Sequence, residues 1–453
     1  MSETFFVVPF GAGSIVVPPP GGNILASDWV TYSEPVADPQ PVSGGQFRVV
    51  TDQASANAAK NVVNPGDVII FTGGGIIPMN FDTRIGANGI NGTEAAPITV
   101  TTDANTWLGP SGSTAEPILA INRSRHFDVV KCKVNAAGGL VDLPVRLQNT
   151  GGTAARRQKV HGNTIINSRH AHLSIQSWFS DYATTPSSYI DVANNFIDGG
   201  PTKSPEPHFC EGIYLGRGTP AAVDRTNNIS IRNNWITRVS ADAIDIKPAT
   251  SGINVLFNEI YDIELHGDLA LSVATGAISA MYGVAPFPVD VPQANSTILG
   301  NRLYDIRSNT TNNVGVFPPI TVGQGGMTVM SNGCWDFDAD HAIAINGETT
   351  TSYGPGTFFI SNNTTPSDRL LRVDPRPGAA SYVYQFNIPT LETLTSGDVG
   401  LVGPTTGLAE ANSEGPGSGL APVSTTAPIG ATGKDAASDQ PNPYPGFLLK
   451  DQR

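Results

Sequence analysis

Asp242, Asp245 and Lys247 stand within one short run, VSADAIDIKPATSG, and Lys247 is the only lysine between Ser204 and Gly433. Residues two apart on a strand share a face, so Asp245 and Lys247 point the same way. Two chemistries suit the set. Carboxylates with a lysine can hold a cation beside a proton acceptor, or they form a solvated ion pair worth about 0–1 kcal/mol; the second is the plainer reading. Around them stand other groups with chemical potential. Tyr214 and Glu211 lie in CEGIYLG, and His170 and His172 flank Ala171. Arg123 and Arg125 in NRSRHF, and Arg156, Arg157 and Lys159 in AARRQKVH, make two short basic runs, either ordinary turns or a local patch for an anionic ligand. Trp178, Phe179 and Tyr182 fall in SWFSDYATTPSS, which reads as a surface loop suited to ligand contact or to packing.

The elements that carry these residues repeat. A short β-rich run ending in Asn recurs at Asn163, Asn195, Asn234, Asn258, Asn301, Asn332 and Asn363. Its spacing varies, as a coil of fixed size with inserted loops requires, and this predicts a parallel β solenoid with a ladder of asparagines along one corner. Asn is expected there for its tolerance of left-handed backbone and its local hydrogen bonds. A second strand follows the corner in HLSIQ, GIYLG, AIDIK, DLALS and AIAIN. Aligned, Leu173, Ile213, Ile244, Leu269 and Ile343 form one inward file, and Ile175, Leu215, Ile246, Leu271 and Ile345 a second. The alternate files, with His172, Ser174, Tyr214, Asp245, Gln176 and Lys247, are expected to face solvent.

The bulk numbers agree. Of 453 residues 14% are charged, and there are 49 Gly and 36 Pro, which favours short strands and turns over long helices. The formal charge of −13 disfavours binding nucleic acid or an anionic membrane surface, but a local cationic cluster still permits an acidic polysaccharide. Three dispersed cysteines make neither a disulfide framework nor a zinc site. The glycine-containing FGAGSIVVPPPGG has no phosphate-binding lysine. No apolar run is long enough to cross a membrane, and the N-terminus does not read as a signal peptide. We therefore expect an all-β chain: a Pro/Gly-rich N-terminal arm over 1–45, a single parallel β-helix over 46–396 closed by a helix near Asp52–Asn61, and an irregular C-terminal tail or strap over 397–453.

NPGDVIIFTGGG followed by GTEAAPITV, the pair CEGIYLGRG and DRTNNISIRNNWITRVSADAIDIKPATSG, and the closing APVSTTAPIGATG resemble the pectate-lyase-like right-handed parallel β-helix superfamily. The likeness runs from about Asn61 to Gly433. The superfamily includes pectate and alginate lyases, glycoside hydrolases and phage tailspikes. Its lyases remove the proton α to a uronate carboxylate with a Lys or Arg base. The resemblance implies Lys247 as that base, with Asp242, Asp245, Glu211 and Asp268 as oxygen ligands for calcium. Tyr214, His172, Gln176, Trp178, Arg156 and Arg157 are the expected glycan contacts. The Asn-x-Glu pattern with Lys or Arg that marks alginate-lyase relatives is not found.

Two function classes follow. One is a glycan-recognising spike or adhesin of a phage-like particle or cell surface, with or without cleavage of its glycan; it would be extracellular or particle-borne, docked to other virion or surface proteins through the arm and trimeric as such spikes are. The other is a polysaccharide lyase acting on uronate-containing glycans. The first is favoured by the arm and the incomplete catalytic set.

Overall fold

A computed structural model describes residues 36–345, apart from 113–116, 138–140, 178–184, 201–209, 217–223, 248–249, 267–275, 281–294, 310–316, 324–325 and 340. Beyond these it describes Asn363 and strands at 7–10, 13–16 and within 357–410. The chain winds into coils that each add one strand to three parallel sheets of 13, 11 and 10 strands. One coil shows the pattern: Ser188–Ala193 in sheet I, Phe196–Asp198 in sheet II, and Glu211–Leu215 in sheet III. Within these three sheets strands pair in parallel with their equivalents one coil away, so like residues stack in files; Val7–Phe10 with Gly13–Val16 and Arg84–Ile85 with Asn88–Gly89 form separate antiparallel pairs. The fold is a parallel β-helix. Among the described residues, no helix is long and apolar enough to cross a membrane.

Aliphatic residues fill the bore. Leu173, Ile213, Ile244 and Ile343 are fully buried, as are Ile175, Leu215 and Ile345, and the register aligns them. One coil differs from expectation. The neighbour of Ile244–Ile246 is Ile278–Ala280, not the DLALS run, and the next is Ile320–Val322. Leu269, Leu271 and Asp268 lie outside the described residues. Alternation alone cannot tell a coil strand from an alternating stretch inside an insertion.

The N-terminal end of the bore is closed as the sequence suggests. Asp52 caps the helix Gln53–Val62, accepting from Ser55 N at 2.7 Å while Asp52 N donates to Ser55 Oγ at 3.0 Å. The helix lays Ala56 and Ala59 on the core, covering apolar ends that a solenoid otherwise exposes. The segment 36–45 runs beside the early coils: Val42 N donates to Gly66 O at 3.0 Å and Asp38 pairs with Lys131. In the C-terminal part, Thr405–Glu410 adds a strand to sheet I against Ala380–Gln385.

All seven predicted corner asparagines form one buried ladder between sheets I and II. Each Nδ2 donates to the next Oδ1, at 2.8 Å from Asn163 to Asn195 and from Asn195 to Asn234, and at 3.0 Å from Asn332 to Asn363. The reason for Asn differs from the expected one. The left-handed backbone falls on the preceding residue, among them Gly162, Asn194, Asn233, Phe257, Gly300 and Ser331. The ladder asparagines are required for their side chains, since only an amide both accepts from one coil and donates to the next.

Candidate functional site

Sheet III carries the site. Its register sets Tyr214 beside Asp245, in an outward file that reads Asp82, Ala120, Arg146, Ser174, Tyr214, Asp245, Ser279, one residue per coil. Lys247 continues the strand beyond Ile246, its N–H donating to Leu215 O at 2.8 Å. Gly216 makes room for it: a Cβ there would meet Thr250 Cγ2 at 2.6 Å and Lys247 Cβ at 3.3 Å, on a backbone with φ +80°.

The acidic residues converge. Glu211, Asp242 and Asp245 present oxygens within 4.8 Å of one another, the only such group among the described residues. They are nearly inaccessible, at 6%, 6% and 2% exposure. Lys247 pairs with Asp245 and sits 5.0 Å from the centre of the Tyr214 ring. His170 meets that ring edge-on at 6.3 Å. The expected solvent-facing file is thus a buried polar cluster, because a side chain that leaves the bore can still be covered by its neighbours.

Burial sets the charges. Desolvation, then the negative Asp245 beside it, pushes the Glu211 carboxyl well above the usual range. Burial opposes the Lys247 ammonium too, but Asp245, Tyr214, Glu211 and Asp242 outweigh it and hold Lys247 well above its ordinary value. Burial lowers His170, so its imidazole is neutral in neutral solution.

The three carboxylates fit calcium. Oxygens up to 4.8 Å apart match a cation with ligands at about 2.4 Å on opposite sides, and three carboxylates leave positions for water or substrate. Glu211 shares a hydrogen bond with Asp245, the proton of its raised carboxyl lying between them, and a cation bound by the three carboxylates would take that proton's place. We expect calorimetry to show calcium binding that Glu211→Gln abolishes. Because Glu211 holds its proton to unusually high pH, binding must release it, and affinity should rise with pH through that range. Pairing that is insensitive both to pH and to Glu211→Gln would show that the cluster is not a cation site.

Other expected contacts serve different purposes. His172 is fully buried; Nδ1 donates to Glu211 O at 2.7 Å and Nε2 accepts from Ser168 N at 3.3 Å, with Asp198 O also 3.0 Å away. It fixes the corner that presents Glu211 and cannot meet a glycan. Gln176 is on sheet III but 5% exposed, and Trp178 lies outside the described residues. Arg156 and Arg157 precede a strand of sheet I, Gln158–His161, away from the site strand. Arg156 pairs with Asp128, and Arg157 donates to Asn228 O at 2.5 Å, so neither guanidinium is free for substrate. One residue of the site's surroundings was not singled out from sequence, Arg146. Nothing in its local run marks it; only the register does.

The parallel β-helix fold has a counterpart among solved structures. An alginate lyase from Paenibacillus sp. superposes with a TM-score of 0.51 at 18% identity, covering 72% of this chain and 97% of that one. The pectate lyase Pel9A matches at 14% identity and TM-score 0.44, over 76% of this chain and 78% of that one. PfbA, a surface adhesin of Streptococcus pneumoniae, matches at 9% and 0.40, over 82% of each chain. At these identities the likeness is one of fold. No protein-family profile and no curated protein matches the chain.

Proposed function

On the premise that the chain is a pectate-lyase-like parallel β-helix, we propose that it acts on an acidic polysaccharide and breaks uronate linkages by β-elimination at Lys247. The supporting observation is the meeting of Lys247, Tyr214 and the carboxylate triad on one sheet face. Lys247 as a free amine takes the proton α to the uronate carboxylate. The electron pair forms the C4=C5 double bond, the bond from C4 to the glycosidic oxygen breaks, and that oxygen takes a proton from the Tyr214 hydroxyl. A divalent cation on Glu211, Asp242 and Asp245 would supply the positive charge that offsets these carboxylates and lets Lys247 give up its proton. His170, neutral and against Tyr214, orients the phenol.

The test is incubation with a panel of polyuronates, reading the ultraviolet absorbance of the unsaturated product. Product from at least one uronate polymer and none from neutral glucans is expected; no product from any polyuronate rules out the lyase. A binding-only adhesin on the same face is the second reading, and retention on a polyuronate column without product would select it. Location on a phage-like particle or cell surface, docked through residues 1–45 as a trimer, belongs to that reading. Mass spectrometry of purified particles tests it.

A further inference from the structure

We propose that Arg146 binds the carboxylate of a second uronate residue, so that the substrate lies along sheet III from Tyr214 toward the N-terminal coils. This rests on the lyase or glycan-binding reading of the same face. Arg146 occupies the outward file of Tyr214, with Ser174 between them. Two strand spacings of about 4.8 Å separate them, ~10 Å in all. Arg146 therefore meets a sugar further along the chain than the reacting one.

The hydrogen bonding along this lane is incomplete. Arg146 Nε and Ser174 Oγ are buried without a partner among the described residues. A buried polar atom left unpaired costs roughly 1–3 kcal/mol, and at Arg146, which is only partly buried, water or a ligand can complete the set. Some half-buried arginines have carboxylates, Arg48 with Asp67, Arg232 with Asp191, Arg238 with Asp198 and Arg302 with Glu259, while Arg157 is held by backbone carbonyls. No described carboxylate makes a direct ion pair with Arg146: Asp82, in the same file, acts on it by charge but places its oxygens on Arg84 and on Asn122 Nδ2. A partly exposed guanidinium with no carboxylate in contact is a fork that a planar carboxylate fits, and a polyuronate supplies one on every sugar.

The experiment compares oligouronates of increasing length with wild type, Arg146→Ala and Arg146→Lys. Wild-type KM should fall as the substrate grows long enough to reach Arg146. Arg146→Ala should raise KM for those longer substrates roughly 10- to 100-fold, the loss of one charge-assisted pair, and erase the length advantage, with Arg146→Lys between. Binding of long polyuronate to Lys247→Ala, with and without Arg146→Ala, gives a second reading that needs no turnover. Weaker binding in the double variant supports Arg146 even if the lyase reading fails. Unchanged binding, an Arg146→Ala length profile like wild type's, or no binding of polyuronate to Lys247→Ala overturns the proposal.

Discussion

Lys247→Ala should lower kcat/KM on the cleaved polyuronate by roughly 10²- to 10⁴-fold, the range a positioned general base contributes, and Lys247→Arg should lower it as much. The pair of variants separates two roles. Alanine removes both the amine and the counter-charge of Asp245. With Asp245 2% exposed and Glu211 6% exposed, that leaves carboxylates buried without compensation, and thermal stability should fall as well. Arginine restores the positive charge but stays protonated throughout the accessible pH range, so it holds Asp245 and cannot accept a proton. Full melting temperature with lost turnover in Lys247→Arg identifies the base. Turnover that survives in Lys247→Arg would make Lys247 a counter-ion and require another base.

The charges give this a pH signature. The surrounding carboxylates hold the Lys247 ammonium well above its ordinary value. The active amine is therefore scarce at neutral pH and grows as pH rises, so the rate should climb on the alkaline side. Occupation of Glu211, Asp242 and Asp245 by calcium removes part of the negative potential, and the climb should move to lower pH as calcium is added. A limb that ignores calcium would dissociate the acidic cluster from Lys247.

The repeat was legible because it is enforced residue by residue: seven asparagines in one frame could only be satisfied by stacking, and the alternating Leu and Ile files fit one bore. What alternation cannot give is what lies outside the bore. Asp245 and Lys247 were readable as outward and adjacent, but their burial depends on segments far away in sequence. Arg156 and Arg157 looked like candidates for the same glycan because a basic run has no address among three faces; the register puts them by sheet I. Arg146 went unremarked in PVRLQ because its significance is its place in a file with Tyr214, two coils on. His172 was misassigned for a related reason, since a histidine at a strand start reads alike whether it turns to solvent or bonds a carbonyl of the next coil, here that of Glu211.

The ladder and the site are mechanically joined, and Asn234→Ala should reveal it. Asn234 belongs to the coil that carries Asp242, Asp245 and Lys247, and Asn195 to the coil that carries Glu211 and Tyr214. In the native chain Asn234 Oδ1 accepts from Asn195 N at 3.1 Å and from Asn195 Nδ2 at 2.8 Å, while Asn234 Nδ2 donates to Asn258 Oδ1 at 2.9 Å and Val192 O at 3.0 Å. Alanine removes the acceptor of Asn195 N and one of the two acceptors of Asn195 Nδ2, which keeps Val160 O, and takes the side-chain donor from Val192 O and Asn258 Oδ1, all in a fully buried corner. At roughly 1–3 kcal/mol for each stranded group, less what water entering the gap recovers, the loss should be about 3–5 kcal/mol. Nearest-neighbour coupling between coils carries the disturbance along the solenoid, so turnover should fall together with the denaturation midpoint. Asn234→Asp sharpens the test. The carboxylate keeps the shape and accepts from Asn195, but when ionised it cannot donate to Val192 O or Asn258 Oδ1, and its charge is buried. Its pKa must rise, so its penalty is largest above the raised value and shrinks as pH falls and the protonated acid donates again. Chemical denaturation of wild type and Asn234→Asp at mildly acidic and neutral pH should show the gap narrowing toward acid. A gap of equal size at both pH values, or a midpoint unmoved by Asn234→Ala, would mean that the files of sheet III stay in register without the asparagine corner, and that Lys247 and Tyr214 owe their meeting to the aliphatic bore alone.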